Sequence, residues 1–181
     1  MNYIIFDIEA TCWPNAPTHL AQETIEIGAV LVDDYGDIRD SFSRFVKPVL
    51  NPSLSSYCKE LTNISQSSID YAKTFPTVIE LFKDWIDVDN EAYALCAWGD
   101  FDRKQLRADC KLHRQESDWL DRFVNLRPQY TEIKKLQKGP SLLTACKLER
   151  IDFKGAQHRA LTDATNLAKI FANHIGDWDL Y

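Results

Sequence analysis

Asn2-Tyr-Ile-Ile-Phe-Asp-Ile-Glu9 is the stretch on which the fold turns. It is rich in Ile and aromatic side chains and runs into the turn-prone Cys12-Trp-Pro-Asn15, which predicts a strand. Ile4, Ile5, Phe6 and Ile8 make that strand apolar on both faces, so it is a buried one. Asp7 and Glu9 stand two apart, and the period of a strand sends both carboxylates to one face near its C-terminal end. Two such charges repel, and a hard divalent cation with oxygen ligands is the common remedy. An isolated D-x-E also fits a solvated strand end; the apolar neighbours favour a cleft.

Working outward, Glu26–Val32, the Asp33-Asp-Tyr-Gly36 turn and Ile38–Val46 predict two more strands in an antiparallel hairpin. Leu54–Leu61 and Ser65–Ala72 read as short helices. Phe75–Ile86 has helical apolar spacing, with Thr74 as its cap and Pro76 in the first turn. Tyr93–Trp98 is a short buried strand that hands over at Gly99-Asp100 to a helix over Asp102–Leu112. Phe123–Leu126 is a further strand. Pro128–Leu136 and Ser141–Leu148 are helices, the second capped by Ser141. Ala160, Leu161, Ala164, Leu167, Ala168, Ile170 and Phe171 form the stripe of an amphipathic helix over 160–174. An early hairpin followed by alternating helices and strands defines a mixed α/β sheet flanked by helices.

With 181 residues, 45% of them hydrophobic and 27% charged, the chain is sized for one domain, 1–181, and disorder, collagen-like repeats and coiled coil are excluded. No apolar run approaches the ~20 residues that span a bilayer, and no basic segment precedes the first strand, so no membrane partner and no signal peptide are expected. Five scattered cysteines without a C-x-x-C pair fit reduced thiols and a cytoplasmic location. The net charge of −6 is unevenly spread: residues 101–160 hold 14 Lys and Arg against eight Asp and Glu. That basic third is either a solvated face or a phosphate-binding one.

Two further junctions carry acids. Cys96-Ala-Trp-Gly-Asp-Phe-Asp102 puts Asp100 and Asp102 where a strand meets a helix, although either could simply cap that helix. His158-Arg-Ala-Leu-Thr-Asp163 puts a His before the last helix and an Asp in its first turn, where the helix dipole alone would favour it. Together, the D-x-E, the Asp after a middle strand and H-x-x-x-x-D resemble the DEDDh 3′-to-5′ exonucleases over Asn2–Asn173. Phe6-Asp-Ile-Glu-Ala-Thr-Cys-Trp13, Thr24-Ile-Glu-Ile-Gly-Ala-Val30 and Glu60-Leu-Thr-Asn-Ile-Ser-Gln66 are similar to the Eri-type branch, which acts on RNA. Asn63, where those proteins commonly carry Gly, and the Trp-Gly-Asp-Phe form of the second motif depart from the pattern.

The resemblance implies a ribonuclease H-like mixed sheet of five or six strands. It implies that Asp7, Glu9, Asp102 (in preference to Asp100) and Asp163 hold two Mg²⁺ or Mn²⁺ ions about 4 Å apart. His158 would be the general base, with nucleoside 5′-monophosphates as products. Glu9, Ala10 and Thr11 would read the terminal ribose, and Leu61, Thr62 and Ile64 would wall off the terminal base. The partners implied are single-stranded RNA or DNA 3′ ends, met by a monomer or homodimer. A DNA or mixed-substrate exonuclease and a catalytically silent binding module of the same fold are the competing readings.

Overall fold

The computed structural model describes residues 1–15, 17, 19–89 and 92–180. Strands β1 (Asn2–Ala10), β2 (Thr24–Val32) and β3 (Ile38–Lys47) come first, followed by helices α1 (Ser56–Thr62) and α2 (Gln66–Asp70). Next are β4 (Lys73–Thr74), α3 (Phe75–Ile86), β5 (Tyr93–Ala97) and α4 (Phe101–Leu112). A 3-10 turn at Asp118–Asp121 leads to β6 (Phe123–Asn125), α5 (Leu126–Ile133), α6 (Leu142–Leu148) and α7 (Ala160–Asn173).

The six strands form one mixed sheet in the order β4-β3-β2-β1-β5-β6. β1 lies centrally, antiparallel to β2 and parallel to β5, as its two apolar faces require. Alternation along β1 feeds two cores. Ile4, Phe6 and Ile8 pack with Phe75, Ile79 and Phe82 of α3 and with Leu106 and Cys110 of α4. Tyr3 and Ile5 pack with Leu167, Ala168 and Phe171 of α7 and with Tyr130 and Cys146. Asp7 and Glu9 continue this second face, so the strand changes from core to site without changing its period. A smaller core of Ile25, Leu54, Cys58, Ile64 and Ile69 seats α1 and α2.

The expected mixed α/β sheet and its early hairpin are what the structure has, with local differences. β4 is a two-residue strand beside β3, too short to leave a pattern in the sequence. Thr74 stands at the N-cap of α3, but its hydroxyl makes no capping bond. α5 begins at Leu126, because Asn125 accepts the Arg127 amide and starts the helix before Pro128. Asn63 closes α1 at φ 55, a left-handed position that Gly adopts freely and Asn tolerates best among the others, which accounts for that departure from the family pattern. Among the described residues, no helix is long and apolar enough to cross a membrane.

One glycine controls how the last helix meets the sheet. Gly28 pairs with Asp7 across β1 and β2, and a Cβ there would overlap the backbone of Ala160 and Leu161 at the start of α7. Gly28→Ala is therefore expected to cost about 3 kcal/mol through overpacking. In urea unfolding the midpoint should fall with an unchanged slope; an unmoved midpoint would show that α7 does not need this approach.

Candidate active site

The C-terminal end of β1 is where the functional side chains meet. Pairing of β1 with β5 extends only from Asn2 to Ile5, so the remainder of that edge lies open. Asp102, buried in the first turn of α4, fills part of it by accepting the Ile8 amide on Oδ1 at 3.1 Å. From the other side α7 brings Asp163, whose Oδ2 accepts the His158 amide at 3.1 Å. His158 is exposed and holds a left-handed backbone at φ 59. Glu9, His158 and Asp163 present ligand atoms within 4.8 Å of one another. Asp7 and Asp102 lie beside this threesome rather than within it, close enough for their charges to be felt, while Asp100 lies at the surface beside Arg103 and Lys104.

The electrostatics are those of like charges confined together. Burial pushes the Asp7 carboxyl well above its ordinary value, and Asp102, Glu9, Asp163 and Glu26 add to the rise. Glu9 is raised to about 8 by burial, then by Asp163, Glu26 and Asp102, with Arg159 opposing. Asp102 is raised to about 6, chiefly by burial, despite its bond from Ile8. Asp163 is likewise raised to about 6 by burial, against the bond from the His158 amide. Asp163 Oδ1 is buried with no hydrogen-bond partner. An orphaned carboxylate oxygen within a cluster of acids fits a hard divalent cation held by Asp7, Glu9, Asp102 and Asp163. A separate cavity of about 530 Å³ lies near Met1, Tyr93 and Leu180, and none of these four acids lines it.

The remaining expected residues divide by burial. Ala10 and Thr11 are buried; the Ala10 carbonyl accepts the Cys58 thiol, and Thr11 Oγ1 accepts the Glu23 amide at 2.9 Å. Ser55 Oγ donates to the Cys12 carbonyl, so α1 is tied to the end of β1 at two points. Leu61, one turn beyond Cys58, is exposed. Thr62 and Ile64 are buried, the first bonded to the Cys58 carbonyl and the second in the core beneath α1 and α2, so this segment shows Leu61 and Asn63 to solvent, Leu61 being the apolar one. Sequence reasoning gave no role to Glu26, which lies opposite Glu9 and bonds Arg159. The available signal was an acid inside the apolar run Thr24-Ile-Glu-Ile-Gly-Ala-Val30, where burial demands a partner.

A central strand ending in paired carboxylates, completed by acids from two helices, defines a class of metal-assisted hydrolase sites. The RNase_T exonuclease family matches residues 4–171, and the chain belongs to that family. Human 3'-5' exoribonuclease 1 is 32% identical over 182 residues, covering 96% of this chain; the chain spans about half the length of that relative, 52%. The nuclease domain of 3'hExo, a DEDDh family member bound to rAMP, superposes with a TM-score of 0.90 at 30% identity, covering 97% of this chain and 92% of that one. A 3'-exonuclease in a structure of 3'-end specific recognition of histone mRNA stem-loop has a TM-score of 0.90 at 29% identity, covering 97% and 64%. These relatives bear out the resemblance to Eri-type DEDDh exonucleases and the ribonuclease H-like fold. Membership implies use of a divalent metal.

The raised carboxyls fix the sign of a pH effect. An acid whose folded value exceeds its unfolded one lowers stability as pH rises through the interval between the two. Here that interval runs from about 4 to about 8. In a chelator the melting temperature should fall across this window. Millimolar Mn²⁺ should then raise it more at about pH 8 than at about pH 5, because protons compete for the same oxygens. Equal gains at both pH values would contradict a carboxylate site.

Proposed function

We propose that the chain is a metal-dependent 3′-to-5′ exonuclease that releases nucleoside 5′-monophosphates from the 3′ end of single-stranded nucleic acid, with RNA preferred. The observation that carries this is that Glu9, His158 and Asp163 bring ligand atoms within 4.8 Å of one another, beside an unpartnered Asp163 oxygen, with Asp102 on the Ile8 amide and Asp7 feeling the charges of all three acids. Asp7, Glu9, Asp102 and Asp163 would hold two Mg²⁺ or Mn²⁺ ions, which when bound neutralise the scissile phosphate and stabilise the attacking and leaving oxygens. The RNA preference is supported by the exoribonuclease relatives and by the rAMP bound to the 3'hExo nuclease domain.

His158 takes the proton from the attacking water, a task within reach of an exposed imidazole whose ring nitrogen lies beside Glu9 and Asp163. Its amide is tied to Asp163, so the base and an acid of the cluster move as one unit. Glu9 with the backbone at Ala10 and the hydroxyl of Thr11 reads the terminal ribose; Thr11 Oγ1 already accepts from Glu23, which leaves its hydrogen to donate. Leu61 meets the terminal base, held out from α1 by Thr62 and Ile64 in their buried positions. The sheet begins at Asn2 and the last helix ends at Asn173, which supports one exonuclease domain over 1–181. Five unpaired cysteines support a reducing, cytoplasmic setting.

A 5′-labelled single-stranded RNA and its DNA counterpart, each with Mg²⁺, Mn²⁺ or EDTA, test the reading. RNA should shorten from the 3′ end nucleotide by nucleotide with either metal, remain whole in EDTA, and outpace DNA. Asp7→Ala should abolish the ladder, and His158→Ala should slow it by roughly 10²-fold or more. Asp100→Asn should leave it within about 2-fold, as expected of a surface substitution away from the site. RNA and DNA both intact under both metals would overturn the proposal.

A further inference from the structure

Glu26 is a buried acid that the metal cluster does not use. It lies within β2, opposite Glu9 in the strand register, and its side chain is 1% exposed. Both of its oxygens are committed to the segment that enters α7. Oε1 accepts Arg159 Nη2 at 3.0 Å, while Oε2 accepts Arg159 Nε and the Ala160 amide, each at 3.1 Å. A helix cap would need only the amide. The forked pairing with the guanidinium adds orientation, because two parallel bonds fix the plane of the residue next to His158. The Arg159 guanidinium also lies over the Phe45 ring at 5.4 Å, which limits it from a second side.

The segment before α7 has a matching anchor at its other end. Asn166, fully buried in α7, accepts the Lys154 amide on Oδ1 and donates to the Lys154 carbonyl. Residues 154–158 between the two anchors are exposed. His158 therefore hangs between a buried Asn and a buried Glu, with one further bond from its amide to Asp163.

We propose that Glu26 and Arg159 are positioning residues for His158, holding the imidazole-bearing segment against the carboxylate cluster by the forked bond and the Ala160 amide. The inference rests on His158 as the base in the proposed exonuclease. The pair also has an electrostatic reason to be an Arg–Glu pair: the register sets Glu9 and Glu26 side by side, and without Arg159 those charges would face each other unrelieved.

Two readouts test this. The first is a double-mutant cycle on single-nucleotide release from RNA. In the parent, Glu26→Gln and Arg159→Lys should each lower kcat by about 10-fold while KM stays within about 2-fold, since the loss appears only in the reacting complex. In the His158→Ala background the same substitutions should cost less than about 2-fold more, because nothing is left to position. Equal losses in both backgrounds, or an effect on KM alone, would overturn the proposal, since a general loss of structure makes no distinction between them. The second readout needs no activity. Amide hydrogen exchange at His158 and Ala160 should quicken by about 10-fold in Glu26→Gln, while Leu167 and Phe171 in the body of α7 keep their protection. Unchanged exchange at His158 and Ala160 would overturn the anchoring even if the nuclease activity is found. Quickened exchange in a protein that cleaves nothing would uphold the anchoring and place the failure in the proposed function.

Discussion

The repulsion among Asp7, Glu9, Asp102 and Asp163 is the constraint around which the rest of the structure is arranged. The fold gathers like charges that water would keep apart, and it does so by main-chain attachment. Asp102 is held by the Ile8 amide, and Asp163 by the His158 amide. Gly28 lets the start of α7 approach the sheet closely enough to bring Asp163 in. Each contact holds one carboxylate in place without neutralising the group, and burial first, then the neighbouring acids, push Asp7 and Glu9 up. A divalent cation held there would offset that repulsion, which would couple metal binding to the stability of the same end of the sheet.

Net charge misleads for a chain built in this way. Several acids are spent inside the molecule. Glu23 accepts the amides of Val49, Leu50 and Asn51, and Asp109 accepts from Thr24 and Gln105. Glu26 is paired with Arg159, and Asp7, Glu9 and Asp102 are largely withdrawn from solvent. The negative balance therefore describes the interior and the carboxylate cluster more than the outer surface. The basic third is likewise partly committed. Arg107 pairs with Asp121, Arg127 donates to the Gly139 carbonyl, and Lys134 pairs with Glu149.

What could be read from the sequence follows from range. The first strand, the hairpin and the last helix declare themselves through local period, and the acids on β1 share a face because two residues make one period of a strand. Long-range partners leave no local trace. Arg159 and Glu26 are 133 positions apart, and the basic stretch gave no reason to single out Arg159. Choosing Asp102 over Asp100 rested on family pattern; in the structure Asp102 accepts the Ile8 amide, 94 positions away, while Asp100 lies beside Arg103 and Lys104. Thr62 and Ile64 sit in a segment matched to substrate-facing residues of relatives, yet both are buried, Ile64 in the small core beneath α1 and α2 and Thr62 on the Cys58 carbonyl. A motif reports which segment lies at a site, and packing decides which of its side chains is exposed there.

The most direct test of a cluster built to hold cations is calorimetric titration of the metal-free protein with Mn²⁺ near neutral pH. The structure predicts saturable binding that Asp7→Asn or Asp163→Asn removes and Asp100→Asn preserves. Absence of binding to the parent chain, or binding unaffected by Asp7→Asn and Asp163→Asn, would contradict the claim that these carboxylates are assembled for a metal.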